Sequence, residues 1–172
     1  MPDRYGSRGH HPDATLLAGT LTRLVLDGEA LTRLSPLLEA DRAQAVHDLL
    51  AENNFSPVRA PIGGPFALRL SIAEGSLAFD IRADDDTPLH VVALALGPFR
   101  GLIKDYQLLA DSHVLAIQEG REARIQAIDT GRRGLHNEGA QLLIERLAGK
   151  IAIDFRTARR LFTLVCVLHQ RI

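Results

Sequence analysis

A single cysteine, Cys166, stands in 172 residues. That excludes an intramolecular disulfide and a cysteine-built zinc site, and it fits a reducing compartment. Long hydrophobic runs are also missing. The longest strongly apolar stretch, Leu161–Leu168, has eight residues, far short of the roughly 20 that span a bilayer. Residues Met1 to Asp13 hold no apolar h-region, so no secretory leader is expected there; residues 1–15 read as a disordered tail ahead of one domain over 16–172. The expected location is cytoplasmic, with no membrane partner. Aromatics are scarce at 5% and are not interleaved with basic residues, which disfavours a stacking platform for single-stranded nucleic acid. Internal repeats, low-complexity tracts and Pro/Gly/Ser linkers are absent. Lysine is nearly so: Lys104 and Lys150 are the only two, and the other 18 of 20 cationic residues are Arg.

Charge is present but unevenly placed. Residues 1–120 carry 10 Arg and Lys against 16 Asp and Glu, a balance of −6, whereas residues 121–172 carry 10 against 5, a balance of +5. Arginine suits planar, bidentate recognition of carboxylate and phosphate better than lysine does.

The periodicity predicts an α+β fold: an antiparallel sheet of about four strands, helices packed mainly on one face, and a helical C-terminal half. Thr20 to Leu26 reads as a strand. Ser35-Pro36 opens a helix with a good N-cap and a proline pre-set for the first turn. Ala43, Val46, Leu49 and Leu50 form its apolar stripe, and Asn53-Asn54 end it. From Phe66 to Ala83 the alternation predicts a β-hairpin around Glu74-Gly75. That turn sets Ile72 opposite Leu77, Leu70 opposite Phe79 and Leu68 opposite Ile81, all on one face, and Arg69 opposite Asp80 on the other. Asp84-Asp85-Asp86 reads as a solvated turn, because a calcium loop spaces its ligands at alternate positions and closes with a distant glutamate. A further strand carries Val92, Leu94 and Leu96, with His90 at the edge of the core.

Gly97-Pro98 precedes an amphipathic helix with Phe99, Leu102, Ile103, Tyr106, Val114 and Ile117 inward. Glu122 to Thr130 reads as a short helix, Gly131-Arg132-Arg133-Gly134 as a break, and Leu135 to Leu147 as its resumption. Asp154 caps a last helix, Phe155 to His169, whose Leu161–Leu168 run belongs deep in the core.

Three segments carry a resemblance: Pro98-Phe99-Arg100 with Lys104-Asp105-Tyr106; Asp129 to Gly139; and Asp154 to Leu164. Together they are similar to uncharacterised protein family 0262, a bacterial family, over roughly Leu16 to the C-terminus. The resemblance implies kinship and carries no activity.

The residues themselves point to one candidate site. Arg132, Arg133, His136, Asn137 and Glu138 lie among glycines that let backbone approach a ligand, and amides ahead of Leu135 are placed to hold an anion. Arg156, Arg159 and Arg160 share a helix face. Internal salt bridges to Asp129, Glu138, Glu145 and Asp154 are the competing use of these arginines.

Enzyme motifs are missing: no P-loop, no dinucleotide fingerprint, no His-Glu-x-x-His and no Gly-x-Ser-x-Gly. His136 and Glu138, two apart, point away from each other on a helix. Cys166 with His169 mimics a nucleophile and base, but burial makes such a thiol inert. No cofactor and no metal site are expected, and an enzyme is disfavoured. The leading expectation is a non-catalytic binding or regulatory module for an anionic ligand or an acidic protein surface. A hydrolase or transferase for a phosphorylated substrate, with His136 or Glu138 as acid/base, is the alternative. RNA binding through the basic half ranks third.

Overall fold

The computed structural model describes residues 19–27 and 34–169; the tail expected over residues 1–15 lies outside them. Among the described residues the elements run β1 (Leu21–Asp27), α1 (Pro36–Ala51), β2 (Phe55–Pro57), β3 (Phe66–Ala73), β4 (Ser76–Ala83), β5 (Pro88–Ala95), α2 (Arg100–Gln118), α3 (Glu122–Leu147), β6 (Ile151–Ile153) and α4 (Phe155–His169). The class is α+β, and from α2 onward the described chain is helical apart from β6 and short connections. No described helix is long and apolar enough to cross a membrane.

Four strands form the main sheet in the order β1-β3-β4-β5. β3, β4 and β5 pair antiparallel, but β1 runs parallel to β3. The sheet is therefore mixed where an antiparallel one was expected. Between β1 and β3 the chain passes through α1 and β2, a crossover long enough for the two strands to run the same way; tight turns join the other pairs.

The β3–β4 hairpin has the expected register: Leu68 faces Ile81, Leu70 faces Phe79 and Ile72 faces Leu77. Glu74 and Gly75 both take positive φ, 52° and 74°, as a two-residue type I′ turn requires. Leu68, Leu70, Leu77, Phe79 and Ile81 are all buried, and the opposite face carries Arg69 beside Asp80. Their ion pairs are not mutual, however. Arg82, two residues along the same strand face, holds Asp80 at 3.1 Å, while Arg69 reaches Asp86 at 3.3 Å. Asp86 also draws Arg23 at 3.3 Å and Arg82 at 3.8 Å, and Thr22 donates to Asp84. The acidic turn folds back over the outer face of the sheet and clasps three arginines.

Helix α1 starts as its cap dictates: the Ser35 hydroxyl accepts from the Leu38 amide and Pro36 opens the first turn. Its inward stripe is Leu38, Asp41, Ala45 and Leu49, with Ala43 and Leu50 turned outward. On α2, Ile103, Tyr106 and Ala110 face the core, but Ala116 takes the last inward position and Ile117 is exposed. The expected break at Gly131–Gly134 does not occur. α3 is one helix of 26 residues, because the glycines lie where neighbours and solvent tolerate a helical backbone. The amides ahead of Leu135 are spent inside that helix and hold no anion.

Gly139 has a steric reason to be small. A Cβ there would sit 2.2 Å from the Phe162 ring of α4, so the missing methyl lets α3 rest on α4. Asp154 caps α4 by accepting from the Thr157 amide at 2.9 Å. Leu161 through Leu168 are buried on every side, which makes α4 the central helix of the core. Cys166 lies inside it, its thiol pushed well up by burial and then by the charge of Asp41; it is a core residue, not a nucleophile.

Candidate functional site

A two-stranded ribbon sets the walls of the site. β2 pairs antiparallel with β6, Phe55 opposite Ile153, which brings the end of α1 beside the start of α4. Asn53 fixes the α1 end: its amide oxygen accepts from the Leu21 amide at 2.7 Å and its nitrogen donates to the Leu21 and Leu49 carbonyls. Asn54 donates from its side chain to Asp154 at 2.7 Å and from its backbone to Thr157 at 2.9 Å. With Gly139 seating α3 on Phe162, the helices α1, α3 and α4 leave a cleft between them.

The outer part of this cleft measures about 570 Å³ and is lined by Asp48, Ala51 and Glu52 from α1, Arg133 and Asn137 from α3, and Phe155, Arg156, Arg159 and Arg160 from α4. An inner pocket of about 110 Å³ shares Arg133, Arg159 and Arg160 and adds Asp41, Gln44, Ala45, Arg132, His136 and Thr163. Most of the expected site residues thus converge: Arg132, Arg133, His136, Asn137, Arg156, Arg159 and Arg160 line one or both cavities. Glu138 does not. It is exposed and lines neither space.

The arginines differ in their partners. Arg132 belongs to the floor, bonded to buried Asp41 and, at 3.1 Å, to Asp129. Tyr106 donates its phenol to the same Asp41, and burial followed by the Asp41 charge pushes that phenol up. Arg160 meets Asp48 at 3.4 Å. Arg156 and Glu52 approach only to 3.8 Å with both side chains more than three-quarters exposed, a contact of little energetic weight. Arg159 donates to the Asn137 carbonyl at 3.0 Å and has no carboxylate partner among the described residues, nor does Arg133. The Arg159 guanidinium is pulled down from its ordinary value by burial and then by Arg160, Arg132 and Arg133, the signature of like charges held close.

His136 sits beneath these cations. Its ring stacks on Tyr106 with centroids 5.4 Å apart, and only 5% of the residue is exposed. Its Nε2 is buried and bonds nothing among the described residues. Burial, then Arg159, Arg132 and Arg160, hold its pKa down at about 3, so the imidazole is neutral at physiological pH.

Sequence reasoning missed the wall supplied by α1. Asp41, Asp48 and Glu52 lie about a hundred residues from the arginines they face. Asp41 did leave a signal: it interrupts the Leu38-Ala45-Leu49 stripe at an inward position. A carboxylate on an apolar face needs a buried partner. Phe155 left none, since a phenyl at a helix start ordinarily marks the core; here it is 43% exposed.

Fold and site together define an α+β protein with an arginine-lined cleft between three helices. The chain belongs to the uncharacterised protein family UPF0262, which matches residues 18–171. Among curated relatives, the UPF0262 protein of Granulibacter bethesdensis is 70% identical over 159 residues, covering 88% of this chain and 90% of that one. The Acidiphilium cryptum protein is 54% identical, covering 92% and 97%, and that of Bradyrhizobium diazoefficiens is 48% identical, covering 87% and 90%. All three are bacterial and carry the family name alone. No solved structure matches the chain.

Proposed function

We propose that this chain is a non-catalytic, cytoplasmic binding module, a single α+β domain that holds an anionic ligand in the α1–α3–α4 cleft. The observation that carries the reading is the cluster of Arg133 and Arg159, which have no carboxylate partner among the described residues, above a buried His136 whose Nε2 bonds nothing among them. Guanidinium forks match phosphate and carboxylate oxygens, and an anion between them would relieve the repulsion among these like charges. Asp48 and Glu52 on one wall favour a small anion, which can meet the arginines alone, over an extended acidic protein surface, which would meet these carboxylates as well. The catalytic alternative has less support. A general acid/base works best with a pKa near the ambient pH, whereas His136 is held at about 3 and Glu138 lies outside the cleft.

Isothermal titration with inorganic phosphate tests the reading. Binding is expected to weaken as salt rises from about 50 mM to 500 mM, since screening shortens the reach of exposed charge. The double change Arg133→Ala with Arg159→Ala is expected to abolish it at little cost in stability. Strong destabilisation with phosphate binding retained would instead mark both arginines as structural.

A further inference from the structure

Arginines line both ends of the cleft, but only the outer end carries an exposed aromatic ring. Phe155 opens α4 and lines the outer cleft with 43% of its surface exposed. It stands four residues before Arg159, so phenyl and guanidinium share a helix face about 6 Å apart along the axis. A phenyl in that position adds nothing to the recognition of a bare anion. It presents an apolar π-face beside a charged group, as a base-stacking residue does.

At the other end, Arg133 and Arg159 flank the inner pocket and His136 forms its floor, 5% exposed with Nε2 unbonded. A phosphate group held by the two guanidiniums offers that nitrogen acceptor oxygens and, when protonated, a donor hydroxyl, and reaches it through a shift of the side chains that shield it from solvent. Asp48 and Glu52 on the facing wall disfavour a second phosphate there and offer acceptors to ribose hydroxyls or an exocyclic amine. The outer cleft, about 570 Å³, falls within the roughly 300–1,000 Å³ typical of small-ligand sites.

We infer that the ligand is a free nucleoside monophosphate, its phosphate between Arg133, Arg159 and His136 and its base stacked on Phe155. The inference rests on the anion-binding reading above and adds the identity of the group attached to the anion. The scarcity of aromatics agrees with it, since one exposed phenyl holds one base.

Calorimetric titrations of the full chain with ribose 5-phosphate, adenosine 5′-monophosphate and a short 5′-phosphorylated oligonucleotide separate the outcomes. The nucleotide is expected to bind about tenfold more tightly than ribose 5-phosphate, the usual scale of one base–aromatic stack. Phe155→Ala should erase that difference and leave ribose 5-phosphate affinity unchanged; at an exposed helix start the substitution leaves the core intact. Equal affinity of nucleotide and ribose 5-phosphate in the unmodified protein would overturn the nucleotide inference and leave the anion site standing. Binding of neither would remove both. An oligonucleotide binding more tightly than the mononucleotide would also overturn it, in favour of a nucleic-acid end. A thermal melt confirms that Phe155→Ala is folded, and the comparison in the unmodified protein decides the matter even if it is not.

Discussion

Two groups of arginines in this protein live under opposite conditions. On the outer face of the sheet, Arg23, Arg69 and Arg82 converge on Asp86 and Asp80, carboxylates supplied by the same strand and the turn that follows it. In the cleft, the carboxylates that line the walls with Arg133, Arg156, Arg159 and Arg160 all come from α1: Asp48 and Glu52 in the outer part and Asp41, already bonded to Arg132, in the inner. Each arginine of the first group has an aspartate partner on the sheet face or in the turn, so its charge is consumed in holding that turn onto the sheet. The second is assembled by tertiary packing and keeps an excess of positive charge. Arginine count alone does not distinguish a clasp from a binding surface; the number of carboxylates each group meets does.

The sharpest test of that contrast lies beneath the cleft. Asp41 is buried between Tyr106 and Arg132, so Asp41→Ala strands a guanidinium and a phenol. A loss of about 3–5 kcal/mol is expected, measured by urea denaturation. A loss below about 1 kcal/mol would mean that the floor is not braced by this carboxylate.

Next comes pH. His136 is held at about 3 in the folded chain against 6.5 for an unperturbed histidine. Above about pH 6.5 it is neutral in both states and its stability contribution is fully present. As pH falls from there toward 3, the unfolded chain takes up a proton that the folded chain refuses, and stability drops by on the order of 3 kcal/mol. The decline should begin between pH 6.5 and 4.5, before most carboxylates titrate, and His136→Asn should flatten it. Saturating phosphate should raise stability across this range and shrink the decline, because an anion beside His136 favours its protonated form. An unchanged decline in His136→Asn would place its source elsewhere.

On the outer face, Asp86→Ala removes three half-exposed ion pairs at once. About 1 kcal/mol is expected, read from the shift of the denaturation midpoint, and it should shrink in high salt. The smallest effect belongs to Arg133→Ala, within about 0.5 kcal/mol of no change. If Arg133→Ala costs as much as Asp86→Ala, the two groups are alike and the comparison fails.

Much of this was legible in the sequence, for local reasons. The β3–β4 register follows from alternation plus a turn whose glycine favours positive φ. The Ser35-Pro36 and Asp154 caps are chemistry within four residues. What escaped depends on distant parts of the chain. The parallel pairing of β1 with β3 leaves no mark in either strand. Gly131 and Gly134 read as a break because glycine weakens an isolated helix, yet packing of α3 against α2 and α4 overrides that preference. The site residues on α3 and α4 are legible by type and clustering, and of the nearby carboxylates expected to pair with them, Asp129, Glu138, Glu145 and Asp154, Asp129 does bond Arg132. Those supplied by α1 went unread, because the stripe there was phased on Ala43 and Leu50 rather than on Leu38 and Ala45.

The ribbon of β2 and β6 also bears on the order in which the chain folds. Its flanking residues Asn54 and Asp154 are 100 positions apart, so the cleft requires closure of a loop that long, and such closure is entropically slow. The β3–β4 hairpin, by contrast, needs only its two-residue turn. Five of the other eight elements, β3 to β5 with α2 and α3, lie between the two ends that the ribbon joins. A ligand in the cleft therefore engages only a chain that has already brought those ends together, and it leaves earlier hairpin-containing intermediates unprotected.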